Sequence, residues 1–142
     1  MLNLTGLHNA LKLLLFTTAS AITAYLLAYE LRFDFQPQTK VPQFTIWIGL
    51  VCLVVSRLLA YIAFKAVNLT WRYFSLAEFL PLLKAHVVSS AIFLACVLLL
   101  RLPEFPRSIA FIESLISLMI NIGAALRSRT TEKLIERRRR VE

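Results

Sequence analysis

The chain has 142 residues, of which 58% are hydrophobic, and a formal net charge of +8; its mean hydropathy is +0.70. A soluble domain of this length cannot bury so much apolar surface, which excludes an ordinary water-soluble globule, and the long apolar blocks read as helices solvated by lipid. The charges gather at block ends and in the last sixteen residues, so they read as a topology signal and not as a nucleic-acid surface.

Residues 1–10 are a short, mildly polar lead. A first span is expected over about 11–31. Ala19-Ser20-Ala21 has the small-residue form of a signal-peptidase site, but the apolar run continues through Ala28, so the block reads as a span. Ser20, Ala24 and Ala28 stand at spacing four on one face, where they would admit a second helix closely; ordinary small residues in a span explain the same pattern. Arg32 to Gln43 is a polar loop with Pro37 and Pro42, which bar helix continuation. Span two follows over about 44–67, with Trp47 as an interfacial aromatic.

Residues 68–84 are too charged to span. Ser75 and Glu78 match a capping box, and Trp71, Tyr73 and Phe74 precede apolar residues at 79, 80, 82 and 83. This segment is expected to be an amphipathic helix on the membrane surface, with Pro81 kinking it or marking its junction with span three. Span three is expected over about 85–102 and span four over about 108–126, separated by the proline-containing turn from Arg101 to Arg107. A basic, helix-permissive tail fills 127–142. The fold class is thus an all-α membrane protein with four transmembrane helices and a cytoplasmic-face amphipathic helix between spans two and three.

Orientation follows from Lys and Arg near the span ends. Lys12, Lys65, Arg72, Lys84 and seven tail residues make eleven on the side of the termini, against four (Arg32, Lys40, Arg101 and Arg107) on the other. The positive-inside rule puts both termini in the cytoplasm, which requires an even number of spans.

Three features are candidates for function. Arg57 lies mid-span, where an arginine costs roughly 2.5–3.5 kcal/mol on insertion scales, so it needs a partner, a protein interior or a route to the surface. Measured along the helices, Arg57 is about 20 Å into span two and Glu113 about 8 Å into span four. That offset of roughly 10 Å nears the combined reach of the two side chains, and the alternative sends Arg57 inward and Glu113 outward toward the Arg101–Arg107 turn. Glu113, Ser117 and Asn121 form a polar stripe at spacing four, which serves either as interhelical hydrogen bonding or as a pathway or lipid-headgroup site. In the tail, Arg137, Arg138, Arg139 and Arg140 read as an anionic-lipid contact or as a pure topology signal. His8 and His86 are isolated from carboxylates and cysteines at ligand spacing, and Cys52 and Cys96 read as small buried hydrophobes. With three glycines and no phosphate-binding loop, nucleophile–base set or metal motif, neither catalysis nor a cofactor is expected of this chain.

The stretch from Ala24 to Phe35 (AYLLAYELRFDF) resembles the end of the first span in membrane-anchored nucleotide-sugar dehydratases/epimerases of bacterial polysaccharide biosynthesis, the CapD-like family. Trp71-Arg72-Tyr73-Phe74-Ser75, with Glu78 beyond, resembles that family's cytoplasmic segment, and Pro106-Arg107-Ser108-Ile109 resembles the start of its last span, which ends in arginines like Arg127 and Arg129. The matching positions are Arg32, Asp34, Trp71, Arg72, Tyr73, Ser75, Pro106 and Arg107. Related four-span anchors precede membrane-bound sugar-phosphate transferases, so the attached chemistry stays open. The resemblance implies a non-catalytic anchor in a bacterial inner membrane, since the family's NAD(P)-binding domain lies beyond the region matched. Its implied partners are anionic or polyprenyl lipids and a second copy or a partner enzyme. A small transporter or lipid-flipping subunit, and a structural subunit of a larger complex, are the rival readings.

A phosphatase reporter inserted after Gln36 or after Glu104 is expected to be active outside the cytoplasm, and one inserted after Arg127 to be inactive. The reverse pattern would overturn the orientation.

Overall fold

The computed structural model describes residues 4–36, 41–64 and 76–141. Within them the chain forms four helices and no strand: α1 (Leu4–Arg32), α2 (Gln43–Ala63), α3 (Leu76–Leu99) and α4 (Ser108–Val141). Each contains a stretch long and apolar enough to cross a membrane: Gly6–Arg32, Gln43–Ala63, Phe79–Leu99 and Ser108–Arg127. The protein is a multi-pass membrane protein built from these helices.

Helix ends follow local chemistry. After α1, the N–H of Phe35 bonds the carbonyl of Glu30 at 2.9 Å, and Asp34 takes a left-handed φ of 50°. This is a Schellman-type stop with aspartate in the position that glycine usually fills. Pro42 precedes α2, and its carbonyl accepts from the N–H of Thr45 at 3.0 Å.

Several boundaries differ from the sequence reading, among them the ends of α2 at Ala63 and of α3 at Leu99 in place of about 67 and 102. The lead up to residue 10 is helical from Leu4, because nothing in it breaks a helix. The segment expected as a separate amphipathic element is, from Leu76 onward, the first turns of α3, which continues through Pro81. Pro81 sits near the helix start and forfeits only one backbone bond there. The remainder of that segment, with Trp71, Arg72, Tyr73 and Ser75, lies outside the described residues. Finally, residues 127–141, expected as a helix-permissive tail, are a direct extension of α4.

The helices run alternately up and down. The 33–42 connection and the 100–107 turn share one end, where Thr45 Oγ1 donates to the Pro103 carbonyl at 3.3 Å and the rings of Tyr29 and Phe105 meet edge to face at 6.2 Å. The packing is uneven. α1 lies mainly against α4, and α2 mainly against α3, while contact between these two pairs is thinner.

Polarity is inverted relative to a soluble bundle. Leu15, Val51, Leu59, Leu115 and Met119 face outward, whereas Thr17, Ser56, Arg57, His86, Ser89 and Glu113 are buried. Only 33% of each apolar window is inside the bundle, so lipid must cover the rest. Toward the loop end the core is aromatic. Tyr25, Tyr29, Phe93 and Phe105 interlock edge to face, and the Tyr25 hydroxyl donates to the Ile46 carbonyl at 3.0 Å.

Gly49 is where this packing is tightest. A Cβ there would collide with the Tyr25 hydroxyl and lie 3.0 Å from the Phe105 ring. The tyrosine ring is held by its neighbours and its hydrogen bond, so it cannot swing aside. Gly49→Ala is expected to lower stability in detergent by about 1–3 kcal/mol. Adding Tyr25→Phe, which removes the colliding oxygen, should restore part of that loss. Thermal unfolding of the single and double variants measures both effects.

Candidate functional site

The centre of the bundle is built on Arg57 of α2. Residues Leu53, Ser56, Arg57, Ala60 and Tyr61 share its buried face, and Arg57 itself is 2% exposed. Its Nη2 bonds both oxygens of Glu113, at 2.9 and 3.0 Å. Its Nη1 donates to His86 Nδ1 at 2.6 Å and to Ser89 Oγ at 2.9 Å. The guanidinium therefore links α2 with α3 and, across the bundle diagonal, with α4.

The offset expected from helix rise disappears because the two spans do not begin at one depth. The 100–107 turn dips into the bundle. Phe105 packs on Gly49, six residues into α2, and α4 begins only three residues after Phe105. Glu113 is thereby carried to within a few residues of the level of Arg57. The alternative in which the two side chains diverge is not what the structure shows.

The histidine is fixed by the same network. A guanidinium can only donate, so Nδ1 of His86 is the acceptor and the proton sits on Nε2. Nε2 then donates to the Ser114 carbonyl of α4 at 2.9 Å. Ser89 and Ser90 both bond the carbonyl of His86, at 2.8 and 3.0 Å, and the hydroxyls of Ser90 and Ser114 meet at 3.0 Å. Both imidazole nitrogens are engaged and the one nearer Ser114 already holds its proton. The histidine is therefore not placed to act as a base toward either serine. Among the described residues no group of three metal-ligating side chains occurs. One donor is left over: Arg57 Nε is buried without a hydrogen-bond partner.

Ser117 and Asn121 share the buried face of α4 with Glu113 but belong to a different contact. Asn121 Nδ2 donates to the Ser117 carbonyl at 2.7 Å and to Ser20 Oγ of α1 at 3.4 Å. Ser20 is the first member of the small-residue stripe, and Ala24 and Ala28 are fully buried with it. The stripe of α4 is thus divided, with Glu113 bonded to α2 and Asn121 to α1.

Of the positions carrying the family resemblance, Asp34 closes α1, Arg32 and Arg107 are exposed, and Pro106 offers its carbonyl to the N–H of Ile109 at 3.0 Å. No protein-family model, curated protein or solved structure matches the chain. Arg137, Arg138, Arg139 and Arg140 are exposed on α4, about 15–20 Å along the helix from Arg127.

Sequence reasoning missed His86, Ser89, Ser90 and Ser114. The signal was present for the first three: at spacings of three and four they share one face of an apolar span, as the stripe of span four does.

Removing one partner of a buried pair strands the other. Arg57→Met and Glu113→Leu should each lower stability by about 3–5 kcal/mol, while the double variant should recover much of the loss. Unfolding in detergent, arranged as a double-mutant cycle, gives the coupling. Additive losses would show that the pair does not hold the bundle.

Proposed function

We propose that this chain is a membrane-anchor module of bacterial polysaccharide biosynthesis, of the nucleotide-sugar dehydratase/epimerase type, and is non-catalytic in itself. In this reading it sits in the inner membrane with both termini, and the stretch 68–84, on the cytoplasmic side. It holds an enzyme, fused or separate, where lipid-linked sugars are assembled. The observation that carries the reading is the pairing of the buried charges with each other, combined with a helix that leaves the bundle unbroken. Arg57 and Glu113 satisfy one another inside the protein, which suits a rigid anchor. α4 continues past its apolar stretch to Val141, a stalk of about 20 Å beyond Arg127. The resemblance of the segments around Arg32, Arg72 and Arg107 supplies the pathway.

The rival with an observation of its own is a small transporter or lipid-flipping subunit. Ionised residues inside a membrane commonly mark a substrate or proton path, and the unpartnered Nε of Arg57 is a donor that such a substrate could use.

A photo-crosslinker placed at Lys133 should capture a cytoplasmic nucleotide-sugar enzyme in cells of the source organism, and the purified chain should turn over no nucleotide sugar. Turnover by the purified chain would sink the anchor reading. Substrate flux in proteoliposomes that Glu113→Gln abolishes would replace it with the transporter.

A further inference from the structure

The 100–107 turn does more than lower Glu113 into the bundle. It opens a cleft of about 280 Å³ lined by Val97, Leu98, Arg101, Leu102, Phe105 and Arg107. The cleft has two kinds of wall. Val97, Leu98, Leu102 and Phe105 are apolar, and Leu98 is continuous with Leu99 and Leu100, which face the lipid. The other wall is formed by Arg101 and Arg107, both exposed and neither engaged in an ion pair among the described residues. Glu104 lies in the turn between them but does not line the cleft.

The backbone is specialised to make this arrangement. Arg101 and Glu104 both take left-handed φ angles, of 46° and 56°. Such a conformation is unfavourable for a non-glycine residue and is retained where the surroundings require it. Arg101 stands one residue past the exposed Leu100 and Arg107 one residue before α4 begins. The two cations therefore flank the boundary between hydrocarbon and headgroups, with an apolar floor between them.

We propose that this cleft binds the phosphate headgroup of an anionic phospholipid, with the start of an acyl chain lying on Leu98 and Leu102. Arginine suits the role because its planar fork bonds phosphate oxygens in pairs. The apolar floor separates this ligand from a free phosphate, which would gain only the arginine contacts. The site is independent of the anchor reading, since it concerns a lipid held at the opposite end of the bundle from the α4 extension.

The test uses the whole purified chain in neutral detergent, with short-chain phosphatidylglycerol, short-chain phosphatidylcholine and inorganic phosphate as separate probes. Binding is read by native mass spectrometry and by the rise in unfolding temperature. Phosphatidylglycerol should bind and stabilise, and the other two should not do so at matched concentration. The double variant R101Q/R107Q should lose roughly 25-fold in phosphatidylglycerol affinity, with helical content unchanged by circular dichroism. The quadruple variant R137Q/R138Q/R139Q/R140Q should bind like the parent. Equal binding of phosphatidylcholine by the parent chain overturns the proposal without recourse to any variant. Equal binding of inorganic phosphate reassigns the cleft to free anions, and loss confined to the quadruple variant moves the lipid to the tail.

Discussion

Lipid removes the force that assembles a soluble bundle. Hydrocarbon solvates a leucine as well as another leucine does, so helices in a membrane must be held by close packing and by polar bonds. This protein divides that work. Within each helix pair, α1 with α4 and α2 with α3, contact is extensive, and small residues such as Ala24 and Ala28 are fully buried. Between the pairs the contact is thinner, and several polar bonds cross there. Arg57 reaches Glu113, His86 reaches the Ser114 carbonyl, and Tyr25 reaches the Ile46 carbonyl. Each of these crosses from one pair to the other. The arrangement is directional, because such bonds form at one register only, whereas apolar packing alone tolerates sliding.

That directionality explains why the aromatic end matters to the charged centre. Phe105 fills the space over Gly49 and beside Tyr29 and Phe93. With the ring in place, the turn sits low and α4 starts deep. A turn held at the rim would leave Glu113 short of Arg57, and both charges would face the interior unpaired. Gly49 is the residue that lets Phe105 and the Tyr25 hydroxyl share that space.

Much of this was legible in the sequence, and the failures have physical causes. Apolar blocks gave the four spans because hydropathy over twenty residues is a strong signal. The inward faces of Arg57, Glu113, Ser117 and Asn121 followed from the cost of polar groups in lipid. The depth of Glu113 did not, because rise per residue measures distance along a helix and says nothing of where the helix begins. His86 looked isolated because its partners lie on other helices, and spacing along one chain does not reveal a neighbour 29 or 28 residues away such as Arg57 or Ser114. The continuity of the stretch beginning at Leu76 with span three is not legible, because the sequence leaves Pro81 open as a kink or a junction, although near a helix start its effect is small.

The continuity of α4 has a rotational consequence. Arg138 lies twenty-five residues beyond Glu113 on the same helix, close to seven whole turns, so the two share an azimuth to within about 20°. The direction in which Arg138 points is therefore set by the ion pair at the centre of the bundle, while Arg137, Arg139 and Arg140 fan around the helix at steps of about 100°. One residue inserted between them would swing Arg138 by about 100°, whereas seven would nearly return it to its heading some 10 Å farther out. Whatever meets Arg138 is addressed in angle as well as in distance, and the clasp inside the membrane is what fixes the bearing.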